Sequence, residues 1–169
     1  MTEYLADGKF QLCRLIPNGY GGFKVPAREA TIWDSGDVTS SVSTRDTIGE
    51  AVARTLLNPE KTANRYVYIS TLETCQNDTW AALKRVTGDE NWKIAHVSSK
   101  GKIKEGKEML ERGEFMMGSG TLALASAYGG GCEEDFRKAG LLANELLGLP
   151  DKEDLDVVLK KILEKVGQL

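Results

Sequence analysis

The chain has 169 residues, about one domain and enough to bury a substantial core. Apolar residues make up 41% of it and charged residues 28%, a globular usage that excludes a disordered tail or a fibrous repeat. The 22 basic residues are outnumbered by 25 acidic ones and interspersed with them, for a net charge of -3, which excludes nucleic acid as the expected partner.

In chain order, Met1-Thr2-Glu3-Tyr4-Leu5-Ala6-Asp7 has neither the basic start and apolar run of a secretory signal nor the Arg and Ser enrichment of a transit peptide, and this predicts a cytoplasmic protein. Pro17-Asn18-Gly19-Tyr20-Gly21-Gly22 reads as a turn or loop, with no regular element predicted over residues 9–28. Two β-leaning runs, 30–33 and 38–43, flank the turn cluster Asp34-Ser35-Gly36-Asp37 and predict a short hairpin. Ser43 with Asp46 forms a capping pair. Ile48, Ala51, Val52, Thr55 and Leu56 then recur on one helical face until Asn58-Pro59 stops the pattern.

The run 65–70, Arg-Tyr-Val-Tyr-Ile-Ser, is dense in β-branched and aromatic residues and predicts a strand. A helix over 74–86 follows, with Trp80, Leu83 and Val86 on one side, and then a strand over 92–97, Trp-Lys-Ile-Ala-His-Val. Strand, helix, strand is an α/β signature. Residues 103–112 place Lys104 with Glu108, Lys107 with Glu111, and Glu108 with Arg112 at four-residue spacing, the mark of a solvated helix. Residues 115–128 read as a buried apolar helix, too short and too broken by Gly118, Ser119 and Gly120 to serve as a membrane span of about 20 residues. Gly129-Gly130-Gly131 breaks it, and helix is predicted again over 133–147, up to Gly148-Leu149-Pro150. At the carboxy terminus, Leu155, Val158, Leu159, Ile162, Leu163 and Val166 line one face of an amphipathic helix. The expected layout is a single region over 1–150, with helix 151–169 packed on it.

Few residues carry a chemical signal. Cys13, Cys75 and Cys132 are odd in number and far apart, without the paired spacing of a disulfide framework or a zinc site. His96 is the only histidine, so multi-histidine metal sites are ruled out. A spatial pair of His96 with Cys75 or Cys132 is left open. Ser119 lacks the flanking glycines of a hydrolase elbow, since Met117 and Thr121 occupy those places. Neither glycine cluster stands at a strand-to-helix turn of the kind that holds a pyrophosphate. Gly129 to Gly131 run into Glu133-Glu134-Asp135, acids that suit a helix start and repel phosphate. Asp151 to Asp154 read the same way. Trp33, Phe115, Met116, Met117 and Tyr128 can line an apolar pocket for a small molecule, or serve as core.

Five segments together resemble the carboxy-terminal half of the fungal NmrA-like and isoflavone-reductase-like proteins, which are atypical short-chain dehydrogenases. They are residues 30–37 (Ala-Thr-Ile-Trp-Asp-Ser-Gly-Asp), 43–52 from Ser43 to Val52, 58–69 from Asn58 to Ile69, Tyr128-Gly129-Gly130, and 144–149 from Asn144 to Leu149. They occur in the family's order between about Tyr4 and Pro150.

The resemblance implies an α/β fold: the carboxy-terminal part of a Rossmann-type protein, with a small mixed sheet and several helices, in which a separate amino-terminal half binds NADP. The family's glycine-rich NADP turn and catalytic lysine lie upstream of the matched region, so the expectation is no cofactor site in this chain. Tyr128, Gly129 and Gly130 fall where the family has a pocket-side loop, which implies a substrate role for them. Three functions are compatible. The first is a truncated oxidoreductase relative that keeps a substrate- or partner-binding region. The others are a cofactor-independent isomerase or cyclase of secondary metabolism and an NmrA-type regulatory module that binds protein. The expected partners are an apolar small molecule and either a second copy or a separate protein, the association being assigned to the strand at 65–70.

Overall fold

The structure, a computed structural model, describes residues 22–131 and 135–169. Its first elements are β1 (Phe23–Lys24) and β2 (Glu29–Trp33), joined by a 3-10 turn over Val25–Ala27 and paired antiparallel with Phe23 opposite Ala30. Arg28 closes the turn in the left-handed region, its guanidinium bonded to Asp89 at 3.0 Å and lying over the Trp92 ring. That contact brings the next strand of this sheet, β5 (Lys93–Val97), alongside β2. The pairing is parallel over five residues, from Glu29 opposite Lys93 to Trp33 opposite Val97, and the order among the described residues is β1-β2-β5.

Between β2 and β5 the chain builds a second sheet and crosses back. β3 (Ser40–Val42) leads to α1 (Arg45–Leu57) and α2 (Pro59–Thr62), and β4 (Leu72–Thr74) returns antiparallel to β3. α3 (Gln76–Thr87) then runs under the first sheet. After β5, α4 (Ser99–Glu111) and α5 (Phe115–Tyr128) form a helical hairpin. The short α6 (Asn144–Leu147) and α7 (Leu155–Lys165) complete the mixed α/β fold. Each strand-to-helix turn is capped by a side chain. Thr44 accepts from the Thr47 amide, Cys75 from Asp78, Ser98 from Gly101 and Asp154, before α7, from Val157, satisfying amides that would otherwise lack a partner.

β2 is the centre of three layers. Ala30 and Ile32 face a core completed by Leu83 of α3 and by Val158, Leu159 and Leu163 of α7, and Phe23, Val42 and Leu72 join it from the neighbouring strands. Trp33 faces Ala125 and Tyr128 of the helical hairpin. Where α4 and α5 cross, a Cβ on Gly106 would stand 2.9 Å from Leu122, and one on Gly118 2.8 Å from Leu110, so the approach of the two helices depends on both glycines. Of the apolar stripe predicted for the last helix, Val158, Leu159 and Leu163 are buried, Leu155 and Ile162 are half-buried, and Val166 is exposed.

Several expectations are corrected. The runs at 30–33 and 38–43 are strands in different sheets and not a hairpin, because β1 and β5 occupy both flanks of β2. The intervening turn serves α3 instead: Asn77 donates to the Ser35 carbonyl and to Asp37 at 2.8 and 2.6 Å. Residues 65–70 are not a strand, and only Tyr68 makes a bridge, to Leu142. The amide of Asn144 takes both backbone groups of Ser70, at 3.1 and 2.7 Å, so a side chain replaces the predicted ladder and pairing begins at Leu72.

The helix predicted over 133–147 is reduced to α6. Residues 136–140 are successive turns held by Arg137, which pairs with Glu73 and Asp151. Residues 132–134, with Cys132, Glu133 and Glu134, lie outside the described residues, as do Cys13 and the glycines at 19 and 21. α1 is capped by Thr44, not Ser43. Its buried residues are Thr47 and Ala51, while Val52 and Leu56 of the predicted face are exposed. On α4 the Lys104–Glu108 pair forms at 3.9 Å, but Arg112 turns to Glu114 at 2.8 Å. Residues 22–28, where no regular element was predicted, hold β1 and its turn.

Candidate functional site

In an open sheet with parallel strands, ligands favour the region beyond the strands' carboxyl ends. Here that region follows Trp33 and Val97. The Asp34 amide donates to Val97 O at 2.9 Å, and its carboxylate accepts from the Ser99 amide at 3.0 Å, so Asp34 joins the end of β2 to the start of α4. Gln76 continues the β1 flank of β2 past the short β1 pairing, accepting from Trp33 N at 2.8 Å and donating to Thr31 O at 3.0 Å. The end of α5 closes over this point. A Cβ at Gly129 would lie 2.5 Å from the Ser99 side chain, so only glycine lets the two helix ends meet.

The predicted pocket residues divide into two groups. Trp33 and Tyr128 come together, stacked with ring centroids 6.1 Å apart, with Gly129 and Gly130 directly after them. The space beside Tyr128, bounded by Phe23, Val38, Ser40, Cys75 and Gln76, is only about 10 Å³, room for roughly one water. Phe115, Met116 and Met117 stand at the opposite end of α5, roughly 20 Å along the axis at 1.5 Å per residue. They are 64–74% exposed. The five apolar side chains therefore do not enclose one pocket, and the first turn of α5 is surface rather than buried helix. A helix apolar all round gives no signal of which end is covered.

The larger concavity lies elsewhere, a groove of about 490 Å³ between the start of α1 and the outer side of α7, within the range of about 300–1,000 Å³ usual for small-molecule sites. Thr44, Arg45 and Asp46 form one wall and Lys161 and Lys165 the other, over a floor that includes Val158 and Ile162. Lys165 spans the groove to Asp46 at 2.6 Å, and Lys161 reaches Glu153 at 3.6 Å. Behind the first wall, the hydroxyls of Thr44, Thr47 and Thr71 link at 2.9 and 2.7 Å and fix the entry to α1. The lining includes no cysteine or histidine. Paired charges over an apolar floor are the chemistry an amphipathic molecule would need there. Nothing in the sequence joins residues 119 positions apart, so these side chains read only as a helix cap and the polar face of a carboxy-terminal helix.

Among the described residues, Cys75, His96 and Ser119 lie outside the groove lining. Cys75, half-buried, caps α3, and burial holds its thiol above the usual range, with the Asp78 carboxylate adding to the rise. It is thus neutral near pH 7 and a weak nucleophile. His96 is exposed on β5 rather than held in a structural contact, and Ser119 is exposed within α5.

No family model matches the chain, and no solved structure matches it. Curated fungal relatives do. Oxidoreductase aprR of Aspergillus flavus is 36% identical over 146 residues, a stretch covering 85% of this chain and 47% of the relative. Oxidoreductase poxI of Penicillium oxalicum is 33% identical over 147 residues, covering 85% of this chain and 45% of the relative. The chain spans about half the length of the curated relatives it matches. Among the described residues, no helix is long and apolar enough to cross a membrane.

Proposed function

We propose that this chain is the substrate-side region of an oxidoreductase of the NmrA-like, isoflavone-reductase-like kind, and that NAD(P) is held by a part of the protein this region does not include. The observation that carries the reading is the similarity to two proteins named oxidoreductase across 85% of this chain and under half of theirs. The local geometry agrees with it. The turns into α1, α3 and α4 run through Ser43-Thr44, Cys75 and Ser98, without a glycine, and each gives one leading amide to a side-chain cap. A pyrophosphate needs those amides free and the backbone bare. The groove between α1 and α7 is the place for an amphipathic ligand in this reading.

Calorimetric titration with NADPH tests the assignment, first on this chain alone and then on the chain co-expressed with the portion of the Aspergillus flavus relative that lies outside the match. The expected outcome is no saturable binding alone and one-to-one binding by a co-purifying complex. Micromolar binding by the isolated chain would remove the division of labour. Failure of the two parts to associate would remove the family assignment.

A further inference from the structure

We infer that the open edge of β5 is a self-association surface, on which a second copy of this chain adds its own β5 antiparallel about a two-fold axis at Ala95. The inference needs only the geometry of β5 and does not rest on the oxidoreductase reading. β5 pairs with β2 on one side, and among the described residues it is an outer strand. The Lys93 amide donates to Arg28 O at 2.8 Å and Val97 O accepts from the Asp34 amide at 2.9 Å. Odd-numbered residues of the strand therefore direct their backbone groups at β2. By the alternation of a ladder, the amides and carbonyls of Ile94 and His96 point to the open edge.

That pair of residues is self-complementary. With the axis at Ala95, Ile94 of one copy stands opposite His96 of the other, twice over, and four backbone hydrogen bonds close without any shift of register. Ala95 faces Ala95, a small pair without charge. Lys93 falls opposite Val97, so no like charges are opposed across the seam. The edge also lacks the usual protections, since it carries neither proline nor bulge and its one Lys sits at the end of the strand. Residues 93–96 are all exposed, and Ile94, 39% exposed, is the apolar side chain the pairing would cover. The result is a continuous six-stranded sheet across two copies. A five-residue seam is smaller than a standard interface, so the dimer is expected to be concentration-dependent.

Sedimentation of the 169-residue chain over a wide concentration range tests this, the expected result being a reversible equilibrium between one and two 18.5 kDa chains. Ile94→Pro removes an amide that points away from β2, and should give a folded monomer by circular dichroism and sedimentation. The register is read independently by crosslinking. In the stated pairing two copies of residue 95 stand about 4.5 Å apart between Cα atoms, within disulfide reach. Two copies of residue 94 stand about 8 Å apart, beyond it. Ala95→Cys should therefore oxidise to a covalent dimer above the background set by the natural cysteines, and Ile94→Cys should not. A monomer at every concentration, or crosslinking at 94 equal to that at 95, overturns the inference. The first of these results would leave the edge to a strand of a different polypeptide.

Discussion

β2 and β5 run side by side in register over five residues, with three apolar side chains each, yet they meet opposite environments. In β2, Ala30, Ile32 and Trp33 are at most 7% exposed, whereas in β5 every residue but Val97 is exposed. The difference does not lie in the strands. β2 has a neighbour on each flank, α3 and α7 over one face and the α4–α5 hairpin over the other. Among the described residues β5 is an outer strand, and its Ile94 and His96 lie on the same face as Ala30 and Ile32 but beyond the reach of that cover. Position in the strand order, and what is laid against each face, decide burial here.

The sharpest way to break the comparison is to place a charge on each side of it. Leu159 of α7 is fully buried against the β2 core, so Leu159→Asp sets an unpaired carboxylate among apolar groups and should cost about 4 kcal/mol or more, enough to abolish a cooperative urea transition. The same substitution at Ala95, exposed on β5, should cost about 1 kcal/mol or less. Comparable losses at the two positions would show that β5 is as enclosed as β2.

A finer version keeps the chemistry constant. Ile32 is 1% exposed and Ile94 is 39% exposed, on adjacent strands and the same face. Truncating Ile32 to Ala opens a cavity in a packed core and should cost about 3 kcal/mol. For Ile94→Ala the expected loss is about 1 kcal/mol or less, because the surrounding space is already open to water. Urea denaturation of both variants at the same low protein concentration measures the difference. A ratio near one would remove the distinction between the strands.

The contrast between the two strands also explains how far the sequence could be read. The β2 run, the helices α1, α3, α4, α5 and α7 and the β5 run were each legible, because periodicity and capping are local properties. The partners of those elements were not. The alternation in 92–97 is the same for an edge strand as for a half-covered one, so the exposure of His96 left no local trace. Tyr66-Val67-Tyr68-Ile69 had strong strand propensity, but the buried Asn144 side chain satisfies Ser70 and α6 displaces the ladder. For the candidate site, Trp33 and Tyr128 stack on each other, each the last residue of its element before a turn. Phe115, Met116 and Met117 were grouped with them by composition alone, and one helix length separates them. The groove went unread because its walls come from opposite ends of the sequence.

The smallest effect concerns how α7 is held against α3, and hence how the face of β2 stays covered. Arg85 binds Asp156 through two contacts, at 2.7 and 2.6 Å. Those hydrogen bonds, opposed by partial burial and aided by the charge of Arg85, hold the Asp156 carboxyl below its usual range. A depressed carboxyl stabilises the fold above its unfolded value, about 3.9, and that contribution is lost as pH falls through the folded value. Both side chains are more than a third exposed, so solvent screening limits the pair to about 1 kcal/mol at most. Asp156 also lies in the first turn of α7, where the helix dipole favours a carboxylate, so the substitution belongs on the arginine. Arg85→Gln should lower the urea midpoint slightly near neutral pH. The gap from the parent protein should close as pH falls below the usual carboxyl range and through the lowered value of the folded state. A gap unchanged between those conditions would show that Arg85 acts through packing of its aliphatic stem against α7 rather than through the ion pair.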